Sequence, residues 1–412
     1  MTAFGPALMA RLDELATFSD DPEHLTRHYL SPAHCRAMAQ VAAWMRAAGM
    51  ATRIDAVGNV IGRYEGRRVG APAVLIGSHI DTVTDAGKYD GSLGVLAGIA
   101  AVETLQRAGE RLPFALEVIA FGDEEGVRFP TALTGSRALA GTLDPDLLYA
   151  RDQGGIAVHE ALRAAGCDAR DYAGCARRPE DVLAYLEIHI EQGPVLEAEN
   201  LPLGIVSAIN GATRARIQIT GEAGHAGTVP MDLRRDALAA AAEMILAVER
   251  EGRASADLVA TVGQIEARPG AVNVIPGVVR FTLDLRAPLD ATREAALAVL
   301  EASFAAIAGR RGVTHTLERF HDAPAVTCDT ALVETLSSAL ARAGITPRRL
   351  PSGAGHDAIA LAALCRVAML FVRCRGGISH HPAEAITTED ADLAVRVLLD
   401  VLRHIEAPPS SR

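Results

Sequence analysis

The sequence predicts an α/β protein: a mostly parallel, doubly wound sheet interrupted by a smaller, ferredoxin-like α+β insert. Three observations carry this. Short apolar runs alternate with helix-period segments, which favours a parallel sheet with helices on both faces. At 412 residues the chain is too long for one ordinary core, so two domains are expected. The strand–helix alternation gives way to a βαββαβ order near Ala212 and resumes near Thr327.

The elements follow in order. Residues 34–49 carry apolar groups at helical spacing (Met38, Val41, Trp44, Met45) and stop at Gly49. Ala51–Ile54 and Val60–Tyr64 read as short strands, and Val74-Leu75-Ile76 as a buried parallel one. Leu93–Ala108 is an apolar helix ended by Gly109. Ala115–Phe121 and Ala184–Ile190 are further strands. In the insert, strands are expected at Arg216–Thr220, Leu258–Ile265, Val278–Leu285 and Thr314–Arg319, with helices at Asp236–Glu249 and Ala291–Ala308. Helices Leu332–Ala343 and Asp357–Leu364, strand Val367–Val372 and helix Glu389–His404 close the first domain. The expected division is 1–211 with 327–412 for the first domain and 212–326 for the insert.

Composition narrows the function. A formal net charge of −11 argues against nucleic-acid or anionic-membrane partners. The opening Met1-Thr2-Ala3-Phe4-Gly5-Pro6 has no basic n-region, and Asp13 and Glu14 fall where a signal peptide would be apolar. No apolar run is long enough to span a bilayer. The six cysteines are scattered with no Cys-x-x-Cys pair, which suits free thiols in a reducing cytoplasm.

The chemistry-bearing residues sit at strand ends, where open α/β sheets gather ligands. Gly77-Ser78-His79-Ile80-Asp81 follows the Val74–Ile76 run, and Tyr89-Asp90-Gly91 comes shortly after. Gly122-Asp123-Glu124-Glu125-Gly126 leaves strand Ala115–Phe121. His189 ends another strand, and His380 follows Val367–Val372. One such group alone would be a solvated loop or a structural histidine. Four strand ends supply enough His and carboxylate donors for two divalent ions: His79, Asp90, Glu125, His189 and His380, with Asp90 able to bridge. Such donors accept zinc first, with manganese, cobalt or nickel as alternatives. A second carboxylate beside the ligands can act as general base, because a metal lowers the pKa of a bound water to about 7. In the insert, His225 lies in the Gly224–Met231 turn, Asn273 in Asn273-Val274-Ile275-Pro276-Gly277, and Arg286 ends a strand. Each can be a turn former or a surface charge. Equally, Arg286 can hold a carboxylate bidentately, and His225 with Asn273 can donate to a developing oxyanion.

In this order the motifs resemble the M20 metallopeptidase clan, and within it the amidase, hydantoinase/carbamoylase family. That family includes N-carbamoyl-L-amino acid hydrolases, allantoate amidohydrolases and β-ureidopropionases. The resemblance runs from Tyr29-Leu30-Ser31-Pro32 to the last helix. Its most specific pieces are Gly77–Val83, Tyr89–Gly91, Glu124–Phe129, His189–Gly193, Gly224–Met231, Ser352–Ala358 and Gly377–Glu384. It implies that His79, Asp90 and His189 hold one metal and Glu125 and His380 the other, with Asp90 bridging. Glu124 is then the general base, and Asp81 orients the His79 ring from behind. Gln192, Gly355 and His356 line the pocket. His225, Asn273 and Arg286 become substrate residues on a lid that also forms the homodimer interface. His381 follows His380, but the spacing to Pro382 and Glu384 selects His380.

The expected function is hydrolysis of the ureido bond of a small carboxylate-bearing substrate, first an N-carbamoyl-L-amino acid. Allantoate and N-carbamoyl-β-alanine are the nearest alternatives. A true peptidase is disfavoured by the Arg128-Phe129 and Ile190-Glu191-Gln192-Gly193 sequences. A non-catalytic binding protein of the same fold is the alternative from another class. It is disfavoured because every ligand and the base are present.

Overall fold

The computed structural model describes residues 3–405. The expected domain limits at residues 1 and 412, and the opening Met1-Thr2, lie outside these. The chain divides into two compact units. The first comprises the residues through Ser207, then Cys328–Leu350, and those from Gly355 onward; the second is Ala208–Thr327 with Pro351–Ala354. Pro351–Ala354 joins the second unit from far along the chain, where Asn210 N–H donates to Ser352 O at 2.9 Å.

The sheet of the first unit runs Ala51–Ile54, Val60–Tyr64, Ala115–Phe121, Ala73–His79, Val182–Ile190, Val367–Val372, Leu203–Ile209. The four strands from Ala115–Phe121 to Val367–Val372 are parallel, and the flanking strands are antiparallel. Ala73–His79 and Ala115–Phe121 are buried along their whole length, as central parallel strands should be. Burying each Val, Leu or Ile there contributes roughly 1.5–3 kcal/mol. Helix Ser92–Arg107 packs on Ala73–His79, Pro32–Ala47 on Val60–Tyr64, and Thr388–His404 on Val367–Val372. The expected α/β class is what forms.

Two elements at the start were not legible. Helix Gly5–Ala16 buries Leu8, Leu12 and Leu15 and packs against Thr388–His404. Arg27 is buried, donating to Ile80 O at 2.6 Å and Leu15 O at 2.7 Å. It ties this N-terminal region to the chain just past His79. Burial holds its pKa down at about 10.

The second unit is an antiparallel sheet in the order Ile265–Arg268, Val278–Ala287, Gly211–Thr220, Thr314–Ala323. Helices Ala237–Ala254 and Asp290–Arg311 cover one face, with Ala215, Ile217, Ile219, Phe281, Leu283 and Leu285 beneath them. Alternation is strict along Gly211–Thr220, so Arg214 and Arg216 stand on the open face. The expected strand Leu258–Ile265 is instead two short ones, Val259–Thr261 and Ile265–Arg268, which pair with different parts of Val278–Ala287. Gln264 between them exchanges hydrogen bonds with Thr282, through Thr282 Oγ1 and the backbone, which bends the strand at Gly263-Gln264.

Candidate active site and metal centre

Parallel pairing sets the four chain segments in register, so their polar ends meet. His79 lies opposite Phe121, whose strand continues into Asp123-Glu124-Glu125; His189 lies opposite Phe371 on the other side. Asp90 is the hub. Its Oδ1 is 3.6 Å from His79 Nε2 and 3.0 Å from His189 Nε2, and its Oδ2 is 3.2 Å from His380 Nε2. Glu124 Oε2 lies 3.8 Å from His79 Nε2, and Glu125 Oε2 3.6 Å from His380 Nε2. The sets His79–Asp90–His189 and Asp90–Glu125–His380 each bring their donor atoms within 4.8 Å of one another, and Asp90 belongs to both.

The imidazole tautomers follow from the contacts. His79 Nδ1 is 2.9 Å from Asp81 O, and His189 Nδ1 is 2.9 Å from Ile190 O. A carbonyl only accepts, so each Nδ1 carries a proton, and each Nε2 is aimed at the cluster. Gly91 N–H, 3.3 Å from His189 Nε2, fits that assignment. Gly91 itself is required: with φ at 63°, a Cβ there would sit 2.6 Å from the His79 ring.

A cation fits this donor set. Every ion pair formed by Asp90, Glu124 and Glu125 among the described residues is with a histidine, never with Lys or Arg. Burial raises the pKa of Glu124 well above its ordinary value, with Glu125 and Asp357 adding to this, and raises Glu125 to about 7. Burial opposes charge on His79 as well, yet Asp90, Glu124 and Asp81 outweigh it and raise its pKa. Crowded carboxylates that lean on imidazoles for charge balance are what a divalent ion relieves. His380, with a half-exposed side chain, marks the open side.

The hub is braced by residues with long sequence separations. Gln192 Nε2 donates to Asp90 Oδ2 at 2.9 Å and to Ser379 Oγ at 3.0 Å. Ser379 Oγ donates to Asp90 Oδ2 at 3.0 Å. Glu384, buried, accepts the N–H groups of Tyr89 and Asp90 at 2.8 and 3.1 Å. Sequence reasoning gave Glu384 and Ser379 no role, although both stand in the strand-end motif Gly377–Glu384. Asp123 was also passed over. It is buried, its Oδ2 accepts from Thr131 Oγ1 and Thr134 Oγ1, and it bends the chain at φ 65° just before Glu124. Gln192 (φ 57°) and His380 (φ 55°) share that left-handed backbone. Non-glycine residues held this way gather where function over-determines the structure.

Two expected placements differ. Asp81 does not reach the His79 ring with its carboxylate, which is 4.0 Å from Nδ1. Its backbone carbonyl makes that contact, while the carboxylate oxygens accept Glu124 N–H and Glu125 N–H, both at 3.3 Å. Asp81 therefore holds the Glu124-Glu125 loop. His356 does not line an opening: it is buried, with its ring 4.5 Å edge-on from the His189 ring. Gly355 is the neighbour that approaches Glu124. Glu187, His189 and His356 also form a cluster, but the Glu187 oxygens are occupied by Ser78 Oγ–H (2.9 Å) and Ala358 N–H (3.1 Å).

In the second unit, His225 and Asn273 come together. Gly224–His225 pairs with Val274–Ile275, and Ala226 N–H donates to Asn273 O at 3.0 Å. Both side chains are exposed. Gly227 N–H donates to His225 Nδ1 at 3.0 Å, leaving Nε2 to carry the proton as a donor. Arg286 is on a different element, and one edge of its guanidinium is taken: Nε and Nη2 donate to Asp284 Oδ1 and Oδ2 at 2.7 and 3.0 Å. His381 turns to its own loop, accepting Ala383 N–H at 3.0 Å. No helix among the described residues is long and apolar enough to cross a membrane.

The pattern of peptidase family M20/M25/M40 matches residues 75–404. The chain is 44% identical to an allantoate deiminase of Arabidopsis thaliana, covering 96% of this chain and 81% of that protein. It is also 44% identical to an N-carbamoyl-L-amino acid amidohydrolase of Geobacillus stearothermophilus, covering 96% and 97%. A solved amidase of the hydantoinase/carbamoylase family from Burkholderia multivorans matches with a TM-score of 0.91 at 35% identity, covering 97% of each chain. The resemblance read from the motifs is thus borne out, and the reading as a non-catalytic protein is set aside. The chain belongs to peptidase family M20/M25/M40, among the amidases of the hydantoinase/carbamoylase family, and is a metal-dependent amidohydrolase acting on C–N bonds.

Proposed function

We propose that the chain hydrolyses the carbamoyl C–N bond of N-carbamoyl-L-amino acids, consuming one water and releasing the amino acid, carbon dioxide and ammonia. The observation that carries this is the convergence of His79, Asp90, Glu125, His189 and His380 around one carboxylate, with Glu124 beside them. In this reading two divalent ions are held, one by His79, Asp90 and His189, the other by Asp90, Glu125 and His380. Zinc is the first choice, and manganese, cobalt or nickel are also accommodated. Bound there, such ions polarise a carbonyl and make water acidic enough to attack near neutral pH.

The protein's own groups do the rest. Glu124 takes a proton from the attacking water and returns it to the departing nitrogen. Burial, which raises its pKa, suits a group that must hold a proton between those steps. Asp81 aims Glu124 by gripping its backbone N–H. Gln192 keeps a buried Oε1 with no partner, an acceptor for a ureido N–H. His225 Nε2–H and the Asn273 amide supply oxyanion donors, and Arg286 takes the substrate carboxylate. The 212–326 segment acts as lid and homodimer interface, each subunit completing the other's site, and the reaction is placed in the cytoplasm. Neither nucleic acid nor membrane is a partner in this reading.

Allantoate is the second reading, favoured by one observation: the relative named allantoate deiminase matches at the same 44% identity as the named carbamoylase. Both substrates place a ureido carbonyl near a carboxylate. The test is ammonia release from N-carbamoyl-L-amino acids, N-carbamoyl-β-alanine and allantoate, with each metal in turn. Highest kcat/KM on an N-carbamoyl-L-amino acid is expected; fastest turnover of allantoate replaces the first reading with the second.

A further inference from the structure

The Arg286 guanidinium is engaged on two sides within its own unit. Asp284 takes Nε and Nη2 side-on, and Gly353 O accepts from Nη1 at 2.6 Å. A guanidinium has five N–H groups, so two remain. One of these is the second Nη2 hydrogen, which lies on the edge shared with Nη1. Asp284 is itself fixed from the other strand: it stands opposite Arg214 in the ladder, and Arg214 Nε donates to its Oδ2 at 3.0 Å. Burial opposes ionising Asp284, yet Arg286 and Arg214 outweigh it and hold its pKa below the ordinary value. The three side chains line a cavity of about 690 Å³ on the open face of this sheet, with Asn210, Gln264 and Thr282. Two guanidinium charges against one carboxylate leave the cavity with one net positive charge.

We propose that Asp284 is a positioning residue for substrate recognition. It locks the Arg286 guanidinium side-on, so that the two remaining N–H groups meet a substrate carboxylate in a fixed orientation. Sharing that lock with Arg214 keeps the site cationic, where a one-to-one pair would have neutralised it. The gain is preorganisation: without Asp284, binding must immobilise a long, rotamer-rich side chain. The inference rests on Arg286 being the carboxylate clamp. An internal anion that the substrate has to displace would act the opposite way, lowering KM when removed.

Steady-state kinetics on the full chain separate these. The substrate is whichever ureido acid is turned over fastest, compared with its neutral primary amide. Asp284→Asn should raise KM for the acid about tenfold, leave kcat within about twofold, and leave KM for the amide unchanged. Asp284→Glu should raise KM by a smaller factor, and it carries the test should Asp284→Asn not fold. Arg286→Ala is run alongside. If Arg286→Ala leaves KM for the acid unchanged, the clamp reading fails and the inference with it. If Arg286→Ala raises KM while the Asp284 variants leave it unchanged or lower it, the inference alone is overturned. A loss confined to kcat overturns it too.

Discussion

The strand-end cluster and the polar groups of the Ala208–Thr327 unit are built by opposite means. Apart from half-exposed His380 the cluster is largely buried, and it is redundant: Asp90 alone meets three histidines, Gln192 and Ser379, and its backbone is held by Glu384. In the second unit His225 and Asn273 are exposed on a two-stranded ladder, and Arg286 stands elsewhere beside its own carboxylate. Parallel register fixes His79 and His189 together and sets where the Glu124-Glu125 loop leaves the sheet. Turns and an open sheet face specify only what each residue can offer. The first region should therefore fail through rate and metal content, and Arg286 in the second through KM.

Four measurements break or sharpen that contrast. The largest effect is expected at Glu124. Glu124→Gln keeps size and hydrogen bonding but removes the base, so kcat should fall at least about 10²-fold with metal content near normal. Retention of most activity would place the base elsewhere. Next is Arg286→Lys, which keeps charge but loses the fork: KM for the acid substrate should rise about tenfold, with selectivity over the neutral amide largely gone. An unchanged KM contradicts the clamp.

The third measurement asks whether the second unit serves a neighbouring subunit. Mixing Glu124→Gln with His225→Ala, each nearly inactive, should restore about a quarter of wild-type activity, since half the dimers are mixed and each has one intact site. No recovery despite subunit exchange contradicts shared sites.

The smallest effect concerns stability of the buried first unit. Burial, with Arg27 and Arg128 nearby, holds the His34 pKa at about 3, against about 6.5 for a free histidine. The unfolded chain thus binds a proton that the folded chain refuses. The stabilisation is complete above about pH 6.5 and declines as pH falls toward 3. Melting temperature followed across that window should fall less steeply for His34→Gln; identical slopes remove His34 as a cause.

Much of this was legible in the sequence because it depends on local pattern. Ala115–Phe121 and Val367–Val372 form where apolar runs predicted them, and His79, Glu124-Glu125, His189 and His380 follow from where those runs stop. What the sequence hid are contacts that only the assembled sheet creates. Glu384 reaches the Asp90 N–H across 294 positions, and its motif Gly377–Glu384 does not announce that contact. The family resemblance placed Asp81 behind His79, but left-handed Asp123 swings the Glu124 and Glu125 N–H groups onto its carboxylate instead. The family resemblance put His356 in the pocket, whereas the fold buries it against His189. Arg286 was read without Asp284, although two residues along a strand is the spacing that puts both on one face.

The central claim is that Asp90 joins two ion sites, and metal analysis tests it most directly. Elemental analysis should find two divalent ions per subunit in the wild type, with anomalous scattering from a crystal locating both against Asp90. Asp90→Asn, folded by circular dichroism, should lose at least one ion. Replacing residues that merely support ligands typically weakens metal sites or activity by about 10–100-fold, so activity here should fall by more than about 100-fold. Full metal content and activity in Asp90→Asn, or ions bound away from the His79–His189–His380 cluster, would contradict the account.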